Sequence, residues 1–203
     1  MNRNPLFRWS DRDEMLAFVA KTAFAHLFAQ TPQGPMVAHV PVSVTREGHL
    51  RFHLARGNAL TKHLEGLTAL ASIAGPDAYI SPDWYGLDDQ VPTWNYVAVE
   101  AEGPVRRLSE TELVAQVDDL SATHEAQLLP KKPWTRAKMT PGLFEKMLPA
   151  IVGFELHVAD MRGTVKMGQN KRAAEMEGAA AGLETASRTD VAAMMRKLAT
   201  EKA

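Results

Sequence analysis

The chain contains no cysteine, which excludes disulfides, thiolate metal sites and cysteine nucleophiles. Charge of one sign is also missing. With 23 Lys and Arg against 24 Asp and Glu the formal net charge is −1, so no global field draws in nucleic acid or acidic lipid. Any such binding must come from a local patch. No run approaches the roughly 18 uninterrupted apolar residues of a membrane span. The opening Met1-Asn2-Arg3-Asn4-Pro5 leads into a charged stretch, so no signal peptide is expected and the cytoplasm is the default location. There is no Gly-x-Ser-x-Gly elbow, no Walker loop, and no His-x-x-x-His pair beside a glutamate. The scattered His26, His39, His49, His53 and His63 suggest no metal site.

What is present describes an ordinary folded protein. Apolar residues make up 45% and charged residues 23%, and 203 residues suit one domain with a core, or one domain plus a small appendage. Asp11 with Glu14 has the spacing of a capping box, followed by Met15, Leu16, Phe18 and Val19 on one helical face. A short apolar run, Phe24 to Ala29, precedes the turn formers Thr31-Pro32-Gln33-Gly34-Pro35. Met36 to Val44 then alternates with period two, and Pro41 within it suggests a sheet edge or a bulge. Leu50, Phe52 and Leu54 make the next strand.

Asn58 to Leu64 reads as a short helix capped by Asn58, and 68–74 and 77–81 as two strands around Gly75-Pro76. Trp94 to Val105 is a long strand. Ser109 and Glu112 form a second capping box, Thr140-Pro141 opens another helix, and Phe154 to Val158 is a last strand. From Asn170 onward the chain is alanine-rich and helical. Six or seven strands without regular helical crossovers point to a mainly β, α+β architecture: an antiparallel barrel dressed with helices.

Three clusters could carry chemistry. In His53-Leu54-Ala55-Arg56-Gly57-Asn58-Ala59-Leu60-Thr61-Lys62 a strand ends, Gly57 allows an unusual backbone angle, and a capped helix begins. A first helical turn offers unpaired N–H groups to a phosphate, Arg56 can add a bidentate clamp, and Lys62 a second charge. The alternative is a surface turn with two solvated cations. Next, Tyr79 to Tyr85 and Val91 to Tyr96 bring Trp84 and Trp94 to either side of a polar loop, where Thr93 and Asn95 could orient a planar ligand. Core or dimer-interface packing explains the same aromatics. Third, Lys166, Gln169 and Asn170 lie where a strand gives way to a helix, and could contact a ligand from a barrel rim. Simple capping by Asn170 competes with that reading.

In this order the clusters resemble the PaiB-type FMN-binding family of negative transcriptional regulators. The matching stretches are Pro41, His53 to Asn58, Gly75-Pro76-Asp77-Ala78-Tyr79-Ile80-Ser81-Pro82-Asp83-Trp84-Tyr85, Val91-Pro92-Thr93-Trp94-Asn95-Tyr96-Val97-Ala98-Val99, Ala150 to Glu155, and Lys166 to Asn170. The resemblance implies a split β-barrel homodimer, with FMN at each subunit interface. It implies that His53, Arg56 and Asn58, with Lys62, hold the phosphate and ribityl side. The strand 38–41, with His39, would lie along the isoalloxazine. Trp84, Thr93, Trp94 and Asn95 would complete the pocket, some from the partner, and Lys166, Gln169 and Asn170 would close its rim. Residues 1–168 would form the FMN-binding domain, and 169–203 a helical extension packing on the barrel or the partner. The family usually carries serine where this chain has Gly168.

The regulator implied by the resemblance would have DNA as a partner. Residues 170–203 hold six Lys or Arg against five Asp or Glu, a local balance of +1, so totals alone do not mark a basic face. The alternative is a flavin-dependent oxidoreductase, like the flavin reductases, pyridoxamine-phosphate oxidases and haem-degrading proteins built on split barrels. For that reading His39 and His53 are the nearest candidates for acid–base work.

Overall fold

A computed structural model describes residues 4–200; the first three residues of the N-terminal stretch read above and the last three of the chain lie outside it. In chain order the strands are β1 (Arg8–Trp9), β2 (Phe24–Thr31), β3 (Gly34–Val44), β4 (Leu50–Ala55), β5 (Thr68–Ile80), β6 (Thr93–Arg107), β7 (Ile151–Leu156) and β8 (Asp160–Lys166). The helices are α1 (Arg12–Thr22), α2 (Glu110–Ala126), α3 (Leu143–Met147), α4 (Ala173–Thr185) and α5 (Thr189–Thr200). The class is α+β, with antiparallel pairing throughout the registers below. Among the described residues no helix is long and apolar enough to cross a membrane.

The chain forms two compact units. The larger comprises residues 12–73 and 100–161. Its strands form a ring in which β6 lies beside β5, then β2, β3, β4 and β7, and β7 pairs back to β6. This is a closed six-stranded barrel. Its interior follows from period-two alternation: Ala25, Leu27 and Ala29 from β2, Ala38, Val40 and Val42 from β3, and Leu50, Phe52 and Leu54 from β4 are all buried. Phe52 and Phe154 are register partners and stack with centroids 5.9 Å apart. Fully burying one such ring stabilises the fold by about 1.5–3 kcal/mol.

Pro41 sits at an edge position, as expected: there β3 has β2 on one side and no ladder partner on the other among the described residues. β3 pairs with β2 as far as Phe24↔Pro41 and with β4 from Val42↔Phe52 onward, so proline sits where the strand changes partner. The next N–H, from Val42, donates to Ala23 O at 3.0 Å. α2 covers the outer face of β7, β4 and β3. There Gly153 lets α2 approach closely: a Cβ would meet Leu113 Cδ1 at 2.9 Å and Leu108 Cδ1 at 3.0 Å, so those leucines would have to shift. The Ser109–Glu112 capping box forms as its spacing predicts. Beside it Glu155, almost fully buried, takes Arg51 at 2.6 Å and Arg106 at 2.9 Å. Burial pushes the Glu155 carboxyl up, but the two guanidinium groups outweigh it and hold it below the usual range.

The smaller unit comprises residues 4–11, 74–99 and 162–200 within the described chain. Here β1 pairs with β8, Arg8 opposite Thr164 and Trp9 opposite Gly163. α4 and α5 form a helical hairpin turning at Ser187, which has φ +59°. It is sealed by Met176, Ala179, Ala180, Leu183, Val191, Ala192 and Met195, all buried. Arg196 ties α5 to Glu177 and Glu184 of α4.

Three expectations are corrected. The residues read as two strands around Gly75-Pro76 form one strand, because β5 continues through both without leaving the ladder. β8 is an additional strand beyond the last one read from the pattern. α3 begins at Leu143 rather than at Thr140-Pro141, since Gly142 turns the chain at φ +76° immediately before it.

Candidate functional site

In the barrel unit, β4 delivers the strand-end cluster. Ala55 is the last paired residue, opposite Ile151. The chain then turns. Arg56 N–H donates to Ala150 O at 2.8 Å, and Asn58 N–H to Ala55 O at 2.9 Å. Where a helix from Asn58 to Leu64 was expected there is one 3₁₀ turn, Ala59–Lys62. Asn58 does cap it, its Oδ1 accepting from Leu60 N–H at 2.9 Å, and Thr61 N–H donates to Asn58 O at 3.1 Å. The backbone N–H groups of Arg56, Asn58, Leu60 and Thr61 are therefore spent inside the turn. Gly57 is also absent from the left-handed backbone positions, contrary to the reading of its role. Of the backbone donors at the turn, those four are committed, so side-chain donors carry much of any anion binding here.

Those side chains are available. Arg56 is exposed and donates Nε to Pro149 O, which aims the guanidinium and leaves both terminal nitrogens without a protein partner among the described residues. Lys62, also exposed, has no partner among them either. Arg56 lines a cavity of about 210 Å³ whose wall also includes Arg107, Glu110, Glu145, Leu113 and Val152. Arg107 was missed by sequence reasoning, which had no signal linking two arginines about fifty residues apart.

His53 is placed differently. Its Nδ1 lies 3.1 Å from Oε1 of Gln116, a buried residue of α2. Gln116 Nε2 has no hydrogen-bond partner among the described residues. His53 is thus partly buried and tied to α2, whereas Arg56 and Lys62 stand exposed at the strand end. His39 sits opposite His26 in the β2–β3 ladder, with their Nδ1 atoms 2.7 Å apart.

In the smaller unit, Lys166 of β8 donates its ammonium to Thr93 Oγ1 at the start of β6. Burial pushes this ammonium below the ordinary lysine value, and no carboxylate pairs with it among the described residues. Trp94 is 55% exposed and meets Tyr79 edge-on, centroids 6.2 Å apart. Asn95 is fully buried: its Nδ2 donates to Met195 Sδ at 3.4 Å, and its Oδ1 has no partner among the described residues. Trp84 lies against α4, with its carbonyl at Gly178 and its indole at Gly182. Gln169 folds back on its own turn, its Oε1 accepting from Met167 N–H at 2.7 Å and its Nε2 donating to Val165 O at 2.6 Å.

Asn170 is exposed and is not the cap of α4; Arg172 occupies that position. Gly168 has φ +80°, and a Cβ would face Met195 Cε at 3.5 Å and Met176 Cγ at 3.9 Å. A serine there would occupy the left-handed region unfavourably, so the departure from the family's usual residue fits the local backbone. Beyond the predicted set, Lys171 places its ammonium 4.6 Å from the Tyr85 ring centroid and bonds Gln90.

The two units thus each hold part of the predicted set. Arg56 and Lys62 in the barrel unit are cations with no carboxylate partner among the described residues and suit a phosphate; in the smaller unit Lys166 likewise has no carboxylate partner among them.

Comparison with known proteins gives a consistent result. A family model described as "Putative FMN-binding domain" matches residues 1–160. The protein "Protease synthase and sporulation protein PAI 2" of Bacillus subtilis (strain 168) is 30% identical over 169 residues, covering 81% of this chain and 80% of that one. Among solved structures, the flavocytochrome Anf3 from Azotobacter vinelandii superposes with a TM-score of 0.64 at 16% identity, over 83% of this chain and 73% of that one. A FAD and haem binding protein from Mycobacterium smegmatis does so with a TM-score of 0.59 at 14% identity, over 79% and 74%. At these identities the structural likeness speaks to the fold, and it matches the split-barrel expectation.

Proposed function

Because this chain belongs to the PaiB-type FMN-binding domain family, we propose that it binds FMN, acts as a homodimer, and serves as a negative regulator of transcription. The match of the family model over residues 1–160 carries this reading, since His39, His53, Arg56, Asn58, Lys62, Trp84, Thr93, Trp94 and Asn95 all fall within it. The regulatory part draws on the resemblance to the PaiB-type family; the Bacillus relative bears the name protease synthase and sporulation protein.

Arg56 and Lys62 would hold the phosphate, as charge-assisted donors left without acidic partners. Lys166 and Thr93 would address a polar edge of the ligand, and Trp94 offers an exposed aromatic face. His53, tied to Gln116, would orient the strand end from beneath α2. Asn95, fully buried, would act by positioning its neighbours on β6. Residues 169–203 would pack on the barrel or the partner. When bound, the flavin supplies hydride or one-electron chemistry, and the protein orients and tunes it.

The test is direct. Purified protein titrated with FMN and with riboflavin should bind FMN more tightly. Arg56→Ala should weaken FMN by about tenfold or more, the scale of one charged hydrogen bond, and leave riboflavin nearly unchanged. Failure of the wild type to bind FMN would overturn the reading. A salt-sensitive gel shift on the protein's own promoter region, absent on unrelated DNA, would support regulation. Anaerobic bleaching of the bound flavin by NADH or NADPH would instead assign an oxidoreductase.

A further inference from the structure

We propose that Arg107 is a second anion clamp of the Arg56 site, and that the cavity between the two arginines seats the phosphate group of the ligand. The inference rests on the FMN reading and assigns within it a residue outside the family-like motifs.

The barrel brings the pair together. β7 lies between β4 and β6: Ala55, just before Arg56, is opposite Ile151, and Arg107 is opposite Phe154. Strands lie about 4.8 Å apart, so two ladder steps and three residues along β7 separate the backbones, and the long side chains span the difference. Both arginines line the same cavity of about 210 Å³. It is smaller than the usual ligand site of roughly 300–1,000 Å³, so it suits one compact charged group rather than a whole flavin nucleotide.

The charges are uncommitted. Neither arginine has an ion pair with a carboxylate among the described residues, and Arg56 uses only Nε, on a backbone carbonyl. The backbone N–H groups of Arg56, Asn58, Leu60 and Thr61 are spent, so guanidinium donors add what these cannot give a phosphate at this end. Glu110 and Glu145 line the same cavity. They oppose an anion and lower its affinity.

The experiment measures FMN and riboflavin affinity for the full chain and for Arg107→Ala, Arg107→Lys, Arg56→Ala and Glu145→Gln. Arg107→Ala should lose about tenfold or more in FMN affinity, matching one charged hydrogen bond, with riboflavin unchanged. Arg107→Lys should recover part of the loss, because it restores charge without the fork. Glu145→Gln should tighten FMN and not riboflavin. Inorganic phosphate should compete with FMN in the wild type, and less effectively in Arg107→Ala. Wild-type FMN affinity in both Arg107 variants, with Arg56→Ala weakened, would overturn the proposal and leave FMN binding standing. Equal loss of FMN and riboflavin in Arg107→Ala would overturn it too. No FMN binding by the wild type would overturn both readings together.

Discussion

The indole of Trp84 lies so close to Gly182 of α4 that a Cβ at residue 182 would stand 2.6 Å from its Cγ and Cε2. One turn earlier on the same helix, Gly178 meets the Trp84 carbonyl in the same way. Helix α4 therefore approaches the Pro82–Tyr85 turn along a face that two glycines keep flat.

Gly182→Ala puts two effects in competition. Helix propensity alone would favour alanine by about 1 kcal/mol, whereas forcing a methyl into a packed contact costs about 1–3 kcal/mol. The clash wins here because the atoms struck belong to a large ring. Chemical denaturation should show Gly182→Ala less stable than the wild type. In a Trp84→Ala background the same change should become neutral or stabilising. A stabilising Gly182→Ala in the wild-type background would mean that the indole does not rest on the helix.

The cluster of Glu112, Glu155, Arg51 and Arg106 predicts how stability responds to acid. The hydrogen bond from Arg106, and then those from Ser109, lower the Glu112 carboxyl to about 2 from 4.5. A carboxylate depressed on folding stabilises the protein above its unfolded value, and that contribution is lost as the pH falls. The loss should run from about 4.5 down to about 2. Glu112 is partly exposed, so solvent screening keeps the effect modest. Denaturation midpoints across this window should fall more steeply for the wild type than for Glu112→Gln; parallel curves would remove Glu112 from the acid response.

Lys166 gives the opposite sign. Burial lowers its ammonium below 10.5, so on raising the pH the folded state releases this proton before the unfolded state does. Between those two values the unfolded chain binds more protons, and stability rises with pH. At neutral pH the charge is a cost. Lys166→Met should therefore raise neutral-pH stability, abolish the alkaline rise, and weaken FMN binding. A residue that destabilises the fold but serves the ligand shows that combination. Unchanged stability and unchanged FMN affinity would leave Lys166 with neither role.

Local chemistry was the legible part of the sequence. The Ser109–Glu112 capping box, the Asn58 cap and the period-two strands depend on neighbours within a few residues, and they formed as read. β5 was misread because Gly75-Pro76 carries a turn signal that tertiary pairing overrides. The phosphate seat was half legible. Arg56 stood out beside Gly57 and Asn58, but the N–H groups of Leu60 and Thr61, credited to a helix, are spent in a 3₁₀ turn. Arg107 and Gln116 could not be found, since each meets its neighbour in the site only through strands and helices remote in sequence. Trp84 and Trp94 look alike in the sequence, yet one lies against a helix and the other is exposed. Composition does not separate those two fates.

The pairing of β7 with both β4 and β6 sets the order in which the barrel can be made. A nascent chain that has emerged only as far as residue 150 holds five of the six barrel strands, with β4 and β6 presenting unpaired edges. Such edges invite pairing with other chains. Closure waits for Ile151–Leu156, whose partners lie about a hundred residues upstream on one side and about fifty on the other. Contacts of that separation slow folding. The interval between synthesis of β6 and β7, filled by α2 and the segment after it, therefore leaves both of these strand edges without the partner that β7 supplies.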